Sequence, residues 1–195
     1  GFQIITQGTT PANYITSAGG TLTMALNDGT EILNLATATA TLGANLDIYA
    51  LRLDRDINVS ADNASSRITI RSGGLIAAAN TVTINSDLYF GSSGLGDGEA
   101  LIWANSGSPQ INGKIYASQV NKSGTAFLNI RSDQPQFTGN WVINGGGVQF
   151  LTPNSQSTGE VILNGAHMAD NDSVFNFAEV RYNFNSGTPD LFTWG

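Results

Sequence analysis

Acidic residues spaced two apart come nearest to a catalytic pattern in this sequence. In an extended chain, residues i and i+2 project to the same side, so such a pair presents its two carboxylates together. Glycoside hydrolysis uses two carboxylates about 5 to 10 Å apart across a cleft. The pairs with this spacing are Asp54 with Asp56 and Asp97 with Glu99. Arg52 and Arg55 flank the first pair, which favours surface ion pairs, and we predict no catalytic residue.

The single histidine, His167, is the side chain that suggests nucleophilic or zinc chemistry. A Ser-His-Asp triad needs one histidine, but the G-x-S-x-G motif that can hold the serine is absent. A zinc site would have to take its other ligands from carboxylates alone. We therefore expect His167 to be a loop or packing residue, and we predict no metal site and no cofactor.

Two acidic loops offer oxygen ligands to a hard cation such as calcium. They are GLGDGE at 94–99 and DND at 170–172. Neither matches the twelve-residue EF-hand loop or the glycine–aspartate nonapeptide repeat. Solvated glycine-rich turns explain both loops, and calcium binding stays open.

Tryptophan side chains suit sugar stacking only where they are exposed side by side. Trp103 and Trp141 lie in the apolar runs LIW and NWVI, which predicts that they face the core or stack between coils. Trp194 lies in DLFTWG, an apolar tail that we interpret as a strand awaiting a further coil.

A threonine row is the remaining pattern with functional meaning. Thr37, Thr39 and Thr41 place three hydroxyls on one strand face, with alanines between them. Flat threonine rows on β-helices can bind ice, so this is an alternative function. A single run without repetition in neighbouring coils favours an ordinary β-surface.

Charge and composition restrict the partners. Only 12% of the 195 residues are charged, and the net charge of −7 with a pI near 4.4 disfavours nucleic acids and anionic membranes. Cysteine is absent, which excludes disulfides and thiolate metal sites. No apolar run approaches the roughly 20 residues that span a bilayer. The chain begins at Gly1 and shows no signal-peptide pattern, so we expect a segment of a longer secreted protein.

Short strands separated by glycine, asparagine and serine must position all of these residues. Helical periodicity is lacking and β-branched runs recur, which predicts an all-β chain. The runs are EILNLA (31–36), ATATATL (36–42), NLDIYALRL (45–53), DINVS (56–60), RITIR (67–71), NTVTIN (80–85), DLYF (87–90), EALIWA (99–104), QINGKIYA (110–117), TAFLNI (125–130), NWVIN (140–144), GVQFL (147–151), EVILNG (160–165), VFNF (174–177) and VRYNF (180–184). Their uneven spacing favours a β-helix with loop insertions and two or three strands per coil. Ile70 and Ile84 are predicted to face its core.

Residues 45–165 resemble a family of bacterial repeats. The stretches NLDIYALRL, RITIRSGGLIAAAN and LYFGSSG, followed by KSGTAFLNI, FTGNWVINGGGVQF and GEVILNG, are similar to the autotransporter-associated β-strand repeat. This resemblance implies a right-handed parallel β-helix in a large secreted or surface protein, with repeats continuing beyond both ends. SGTAFLNI departs from the usual G-x-G-T-L-x-L pattern, because the second glycine is missing.

Three segments and one function are predicted from these patterns. The segments are N-terminal β coils at 1–44, a repeat solenoid at 45–165 and C-terminal strands at 166–195. The predicted function is that of a non-enzymatic structural segment of a secreted or cell-surface fibre or adhesin. Expected partners are copies of itself or the continuing parent chain, joined end to end, and also surface polysaccharide. The alternatives are a polysaccharide-degrading or a carbohydrate-binding β-helix.

Overall fold

The computed structural model describes ten stretches of the chain. These are residues 14–17, 20–22, 28–35, 39–43, 45–54, 57–61, 66–79, 81–156, 158–164 and 178–183. Within these stretches the chain forms twenty β-strands and no helix. None of the described segments is therefore a helix long and apolar enough to cross a membrane.

The strands belong to three parallel sheets. Sheet 1 contains β1 (Tyr14–Ser17), β3 (Ile32–Leu35), β6 (Ala50–Leu53), β9 (Gly74–Ala77), β12 (Glu99–Ala104), β15 (Gln119–Ser123), β17 (Asn140–Ile143) and β19 (Val161–Leu163). Sheet 2 contains β2 (Gly20–Leu22), β4 (Thr39–Leu42), β7 (Ile57–Ala61), β10 (Val82–Ile84), β13 (Gln110–Ile111), β16 (Phe127–Ile130), β18 (Gly146–Phe150) and β20 (Ala178–Tyr182). Sheet 3 contains β5 (Leu46–Ile48), β8 (Arg67–Ile70), β11 (Asp87–Phe90) and β14 (Ile115–Tyr116).

The order of the strands along the chain defines a parallel β-solenoid. After each strand of sheet 1 the chain passes to sheet 2, then in the central coils to sheet 3, and returns to sheet 1 one layer further on. Register partners in sheet 1 lie 18 residues apart at Tyr14 and Ile32, and 27 apart at Leu75 and Ile102. This confirms the predicted all-β solenoid with irregular coils. Its right-handed sense stays a prediction.

The core lies between the three sheets and consists of stacked aliphatic rows. In sheet 1, Leu51, Leu75 and Ile102 pair in register and are all buried. Ile70 in sheet 3 and Ile84 in sheet 2 are also buried, which confirms their inward assignment. Burial of apolar surface at about 25 cal/mol per Å² makes these rows the main source of stability.

Sheet 3 ends at β14 because side chains replace the next strand. The buried Gln134 accepts a hydrogen bond on Oε1 from the Ile115 backbone N–H at 2.7 Å. Gln136 donates from Nε2 to the Ile115 carbonyl at 2.9 Å. The outer edge of β14 is therefore satisfied without a further strand, and an edge that offers no free donor or acceptor does not recruit one.

Two predicted runs prove to be pairs of strands. NLDIYALRL divides into β5 and β6 at Tyr49, where the chain turns from sheet 3 to sheet 1. QINGKIYA divides into β13 and β14 around Asn112–Lys114. The strands β1, β2, β9 and β15 lie outside the predicted runs. In β15 the sequence QVNKS is too polar to be recognised as a strand.

The predicted division at residues 44 and 165 remains a prediction. Sheets 1 and 2 each contain strands from before residue 44 and run on without interruption past it. The predicted strand 174–177 lies outside the described residues.

Candidate functional site

An outward row on sheet 1 collects the side chains best suited to bind a ligand. Arg52 of β6 pairs in register with Ile76 of β9, and Ile76 pairs with Trp103 of β12. Neighbouring strands of a sheet lie about 4.8 Å apart, so these three residues follow one another along the solenoid axis. Because side chains alternate along a strand and their neighbours are buried, the row faces outward.

Trp103 was expected to face the core or to stack between coils, and of these two alternatives the core-facing orientation is wrong. In β12, Ala100, Ile102 and Ala104 are the buried residues, so the alternation turns Trp103 outward with 40% of its surface exposed. Trp141 is fully buried as expected, and its ring makes edge contacts with Phe150 at 5.1 Å between centroids. Of these two tryptophans, Trp103 is the one available to a ligand.

The outward row forms one wall of an open groove of about 480 Å³. The groove is lined by Arg52, Ile76, Ala78, Trp103 and Asn105. Ile76, Ala78 and Trp103 supply its apolar and aromatic surface, and Arg52 and Asn105 supply its polar groups. Its volume lies within the range of about 300 to 1,000 Å³ that ligand sites occupy.

The polar groups of the groove are held by hydrogen bonds. Arg52 donates from Nη2 to Asp54 Oδ1 at 2.6 Å and from Nε to the same oxygen at 3.0 Å. Thr125 Oγ1 donates to Asn105 Oδ1 at 3.2 Å, which leaves Nδ2 as the donor end turned away from this contact. The expected ion pair at the first acidic pair is confirmed for Asp54, whereas Arg55 and Asp56 lie outside the described residues.

The second acidic pair is divided between two hydrogen-bond networks. Glu99 Oε1 accepts from Gln119 Nε2 at 3.1 Å and from Asn121 Nδ2, on the adjacent strand β15. Asp97 Oδ1 instead accepts from the hydroxyl of Ser93 within its own loop. Among the described residues, no three histidine or acidic side chains gather as a metal site would require.

Several residues singled out in the sequence lie outside the described stretches. These are His167, Thr37, Trp194 and the acidic loop 170–172.

The threonine row is described in part. Thr39 and Thr41 lie in β4, and Thr41 pairs in register with Thr21 and Ser60 of the neighbouring layers. Hydroxyl residues therefore recur at this position over three layers, a repetition that the linear sequence did not reveal.

The loop 91–98 packs over sheet 3. Gly91 and Gly98 meet so closely that a Cβ built on Gly98 would lie 2.3 Å from the Gly91 Cα. Gly96, at φ +79°, approaches Tyr116, whose Cβ would lie 2.4 Å from an added Cβ. GLGDGE therefore forms a glycine-rich turn, as predicted, and the structure adds that its glycines permit a close approach to neighbouring atoms.

An aromatic stack lies beneath this loop. The rings of Tyr89 and Tyr116 stack at 4.0 Å between centroids, and the Arg67 guanidinium lies 4.4 Å from the Tyr89 centroid. Burial, and then the hydrogen bond with Tyr89, raise the pKa of Tyr116 to about 12. The sequence signal for this stack is a tyrosine following an inward Leu or Ile in both strands, and it was overlooked.

A buried lysine is the least expected feature of the core. Lys122 of β15 occupies the inward row between Ile102 and Ile143 and is fully buried. Its Nζ donates to the carbonyls of Gly124 at 2.9 Å and Gly145 at 2.8 Å. Burial lowers the pKa of Lys122 to about 8, because the core disfavours the charged ammonium.

The last described layer of sheet 1 leaves apolar side chains uncovered. Leu163 of β19 pairs in register with Ile143, an inward residue, yet 47% of its surface is exposed. Its neighbour Ile162 is exposed as well. Among the described residues, the core row is therefore less covered at this layer than in the layers before it.

Comparison with known proteins gives no relative on which to base a function. No family model, no curated protein and no solved structure matches the chain. The fold is thus established by the structure alone, and the similarity to autotransporter repeats stays a sequence-based prediction.

Proposed function

We propose that this chain is a non-enzymatic structural segment of a secreted or cell-surface fibre or adhesin. In this role the stack of coils itself performs the function, because it extends a surface protein along one axis and displays side chains at fixed spacing. The resemblance to autotransporter repeats and the low charge support an extracellular location. The sequence-based alternative is a polysaccharide-degrading or carbohydrate-binding β-helix.

The observation that carries this proposal is the exposed end of the core row at β19. Leu163 continues the inward row of Ile143 and remains 47% exposed, so a further parallel coil would cover apolar surface at this position. It would also pair the outer backbone groups of β19 at the usual strand spacing of about 4.8 Å. We propose that this coil comes from a second copy or from the continuing parent chain.

Such an association is head to tail. The β19 end of one copy meets a different surface of the next, so the contact propagates as a filament unless its rotation closes a ring. Few charges protect the strand: within β19, Val161, Ile162 and Leu163 carry none.

Analytical ultracentrifugation over a range of concentrations tests the proposal, with electron microscopy of the same samples. We expect concentration-dependent oligomers or filaments for the natural sequence and their loss in Leu163→Glu. The matched control is Leu95→Glu, at an exposed leucine in the loop over sheet 3, which should associate normally. A natural sequence that stays monomeric at high concentration contradicts end-to-end association.

Turnover assays address the enzymatic alternative. Neutral and uronic-acid polysaccharides would be incubated with the protein, and reducing ends and ultraviolet absorbance would be followed. Activity that is abolished by Asp54→Asn or Asp97→Asn would replace the structural proposal with an enzymatic one.

A further inference from the structure

We infer that the groove formed by Arg52, Ile76, Ala78, Trp103 and Asn105 binds a neutral saccharide chain. This site goes beyond the structural role proposed above and does not depend on end-to-end association, since its residues lie in the β6, β9 and β12 layers. The inference begins with Trp103, whose indole is 40% exposed on a sheet face. Covering a large aromatic ring that is exposed to water is energetically favourable.

The shape of the groove suits an extended ligand. Arg52, Ile76 and Trp103 occupy the same register position in three successive layers. They therefore span about 10 Å along the solenoid axis, two strand spacings of about 4.8 Å. A chain lying parallel to the axis contacts all three residues, whereas a small spherical ligand contacts only one or two of them.

The chemistry of the lining matches a ring with one apolar face and a hydroxyl rim. The C–H face of a pyranose packs on an indole, and the indole N–H and rim residues can bond its hydroxyls. The Arg52 and Asp54 pair, joined at 2.6 Å, presents donors and acceptors side by side. Asn105, two residues after Trp103 in the chain, adds a side-chain amide to the lining.

The charge of the groove selects a neutral ligand over an acidic one. Asp54 already accepts two hydrogen bonds from Arg52, so the charge of Arg52 is compensated. Among the described residues that line the groove, no cation is left unpaired to bind a carboxylate or a sulfate. The chain as a whole carries −7, which repels polyanions at a distance. A uronic-acid polymer should therefore bind more weakly than a neutral glucan, mannan or galactan.

Affinity electrophoresis against a panel of neutral and uronic-acid polysaccharides tests the site. We expect retardation in at least one neutral polysaccharide gel, and a loss of affinity on the order of tenfold in Trp103→Ala. Trp103→Phe should retain part of the binding, since it keeps an aromatic face. The matched control is Tyr49→Ala, which removes an aromatic ring of similar exposure, 43%, at the turn between β5 and β6.

Three results would overturn the inference. They are a lack of retardation in every neutral gel, equal retardation of the natural sequence and Trp103→Ala, and stronger retention by uronic-acid polymers than by neutral ones. Circular dichroism melting of each variant confirms that it is folded before it is compared. The Leu163→Glu variant separates this site from assembly, because it should remain monomeric and still bind.

Discussion

At the scale of single residues, Lys122 shows how a polar group is held inside an aliphatic row. Its stem continues the stack between Ile102 and Ile143, and its Nζ reaches two glycine carbonyls in successive coils. These carbonyls compensate only part of the lost hydration, so the neutral amine is favoured relative to water. The lysine thus links two coils and makes their stability depend on pH.

The pH dependence of Lys122 has a definite sign. Its pKa is about 8 in the folded protein and 10.5 in the unfolded chain, so the unfolded chain binds more protons between these values. Stability should therefore rise with pH across this window, by about 2 kcal/mol from pH 7 to pH 9.5. Urea unfolding at several pH values measures this rise. In Lys122→Met the rise should vanish, and an unchanged rise in that variant would assign it to another group.

Charges placed in the aliphatic rows should be far more harmful than changes on the surface. Ile70→Asp and Ile84→Asp each bury a carboxylate without a partner, so we expect losses of more than about 4 kcal/mol or failure to fold. Ser92→Ala, at an exposed loop position, should change stability by less than about 0.5 kcal/mol. Thermal melting of the three variants checks both expectations, and similar melting temperatures would contradict the inward assignment.

At the scale of elements, glycines allow close contact between the turns that precede successive strands of sheet 1. A Cβ added to Gly139 would lie 1.9 Å from the Ser118 carbonyl oxygen, and one added to Gly159 would lie 1.8 Å from the Gly139 carbonyl oxygen. Both glycines occur in a motif repeated at 20 residues, TGNWVING at 138–145 and TGEVILNG at 158–165. This spacing is one coil, as the register of Trp141 with Val161 shows.

Glycine substitutions in this region test the close approach of the turns. Gly139→Ala should destabilise strongly, by several kcal/mol, because the Ser118 backbone cannot move without breaking the stack. Gly145→Ala is the matched control in the same coil, since its added Cβ meets its nearest atom at an ordinary 3.4 Å. Denaturant unfolding of both variants measures the difference. Equal stability of the two variants would show that the backbone around Gly139 can shift to accommodate the added methyl group.

The strands could be predicted where local propensity and core packing agree. RITIR, DLYF and EALIWA are β-branched or aromatic and alternate, and they form β8, β11 and β12. The turns between consecutive strands were harder to predict. In NLDIYALRL the inward residues Ile48 and Leu51 stand three apart, which breaks the alternation and marks the turn.

The candidate site could be predicted only in part. The Arg52 and Asp54 ion pair is local and was expected, whereas the row that joins Arg52 to Trp103 depends on coil length. Separations of 24 and 27 residues bring these side chains together, and loop insertions set those lengths. The orientation of Trp103 was available from alternation alone, because Ile102 and Ala104 are the better core residues.

At the scale of the whole molecule, each coil contacts mainly the layers beside it. In sheet 1 each described strand from β1 to β19 pairs only with the strands of the adjacent layers. Stability in such a stack is a sum over layers and the interfaces between them. Layers with two covered sides are therefore expected to be more stable than β19.

Hydrogen exchange followed by mass spectrometry checks this gradient. Peptides that contain β9 and β12 should exchange slowest, and those that contain β19 should exchange measurably faster at concentrations where the chain is monomeric. In assembled samples β19 should become protected. Uniform protection along the chain at low concentration would indicate a single cooperative unit and contradict the layered picture.

The close contact of Gly91 and Gly98 should allow the loop between them to accept inserted sequences. The ends of the loop lie side by side, so we expect β11 and β12 to keep their places when the chain between them is lengthened. Doubling the length of a flexible loop costs only about 0.6 kcal/mol in closure entropy. A guest peptide grafted between these glycines should leave the melting temperature almost unchanged, which calorimetry can check. The coil is thus a carrier on which new recognition sequences can be exchanged without redesign of the scaffold.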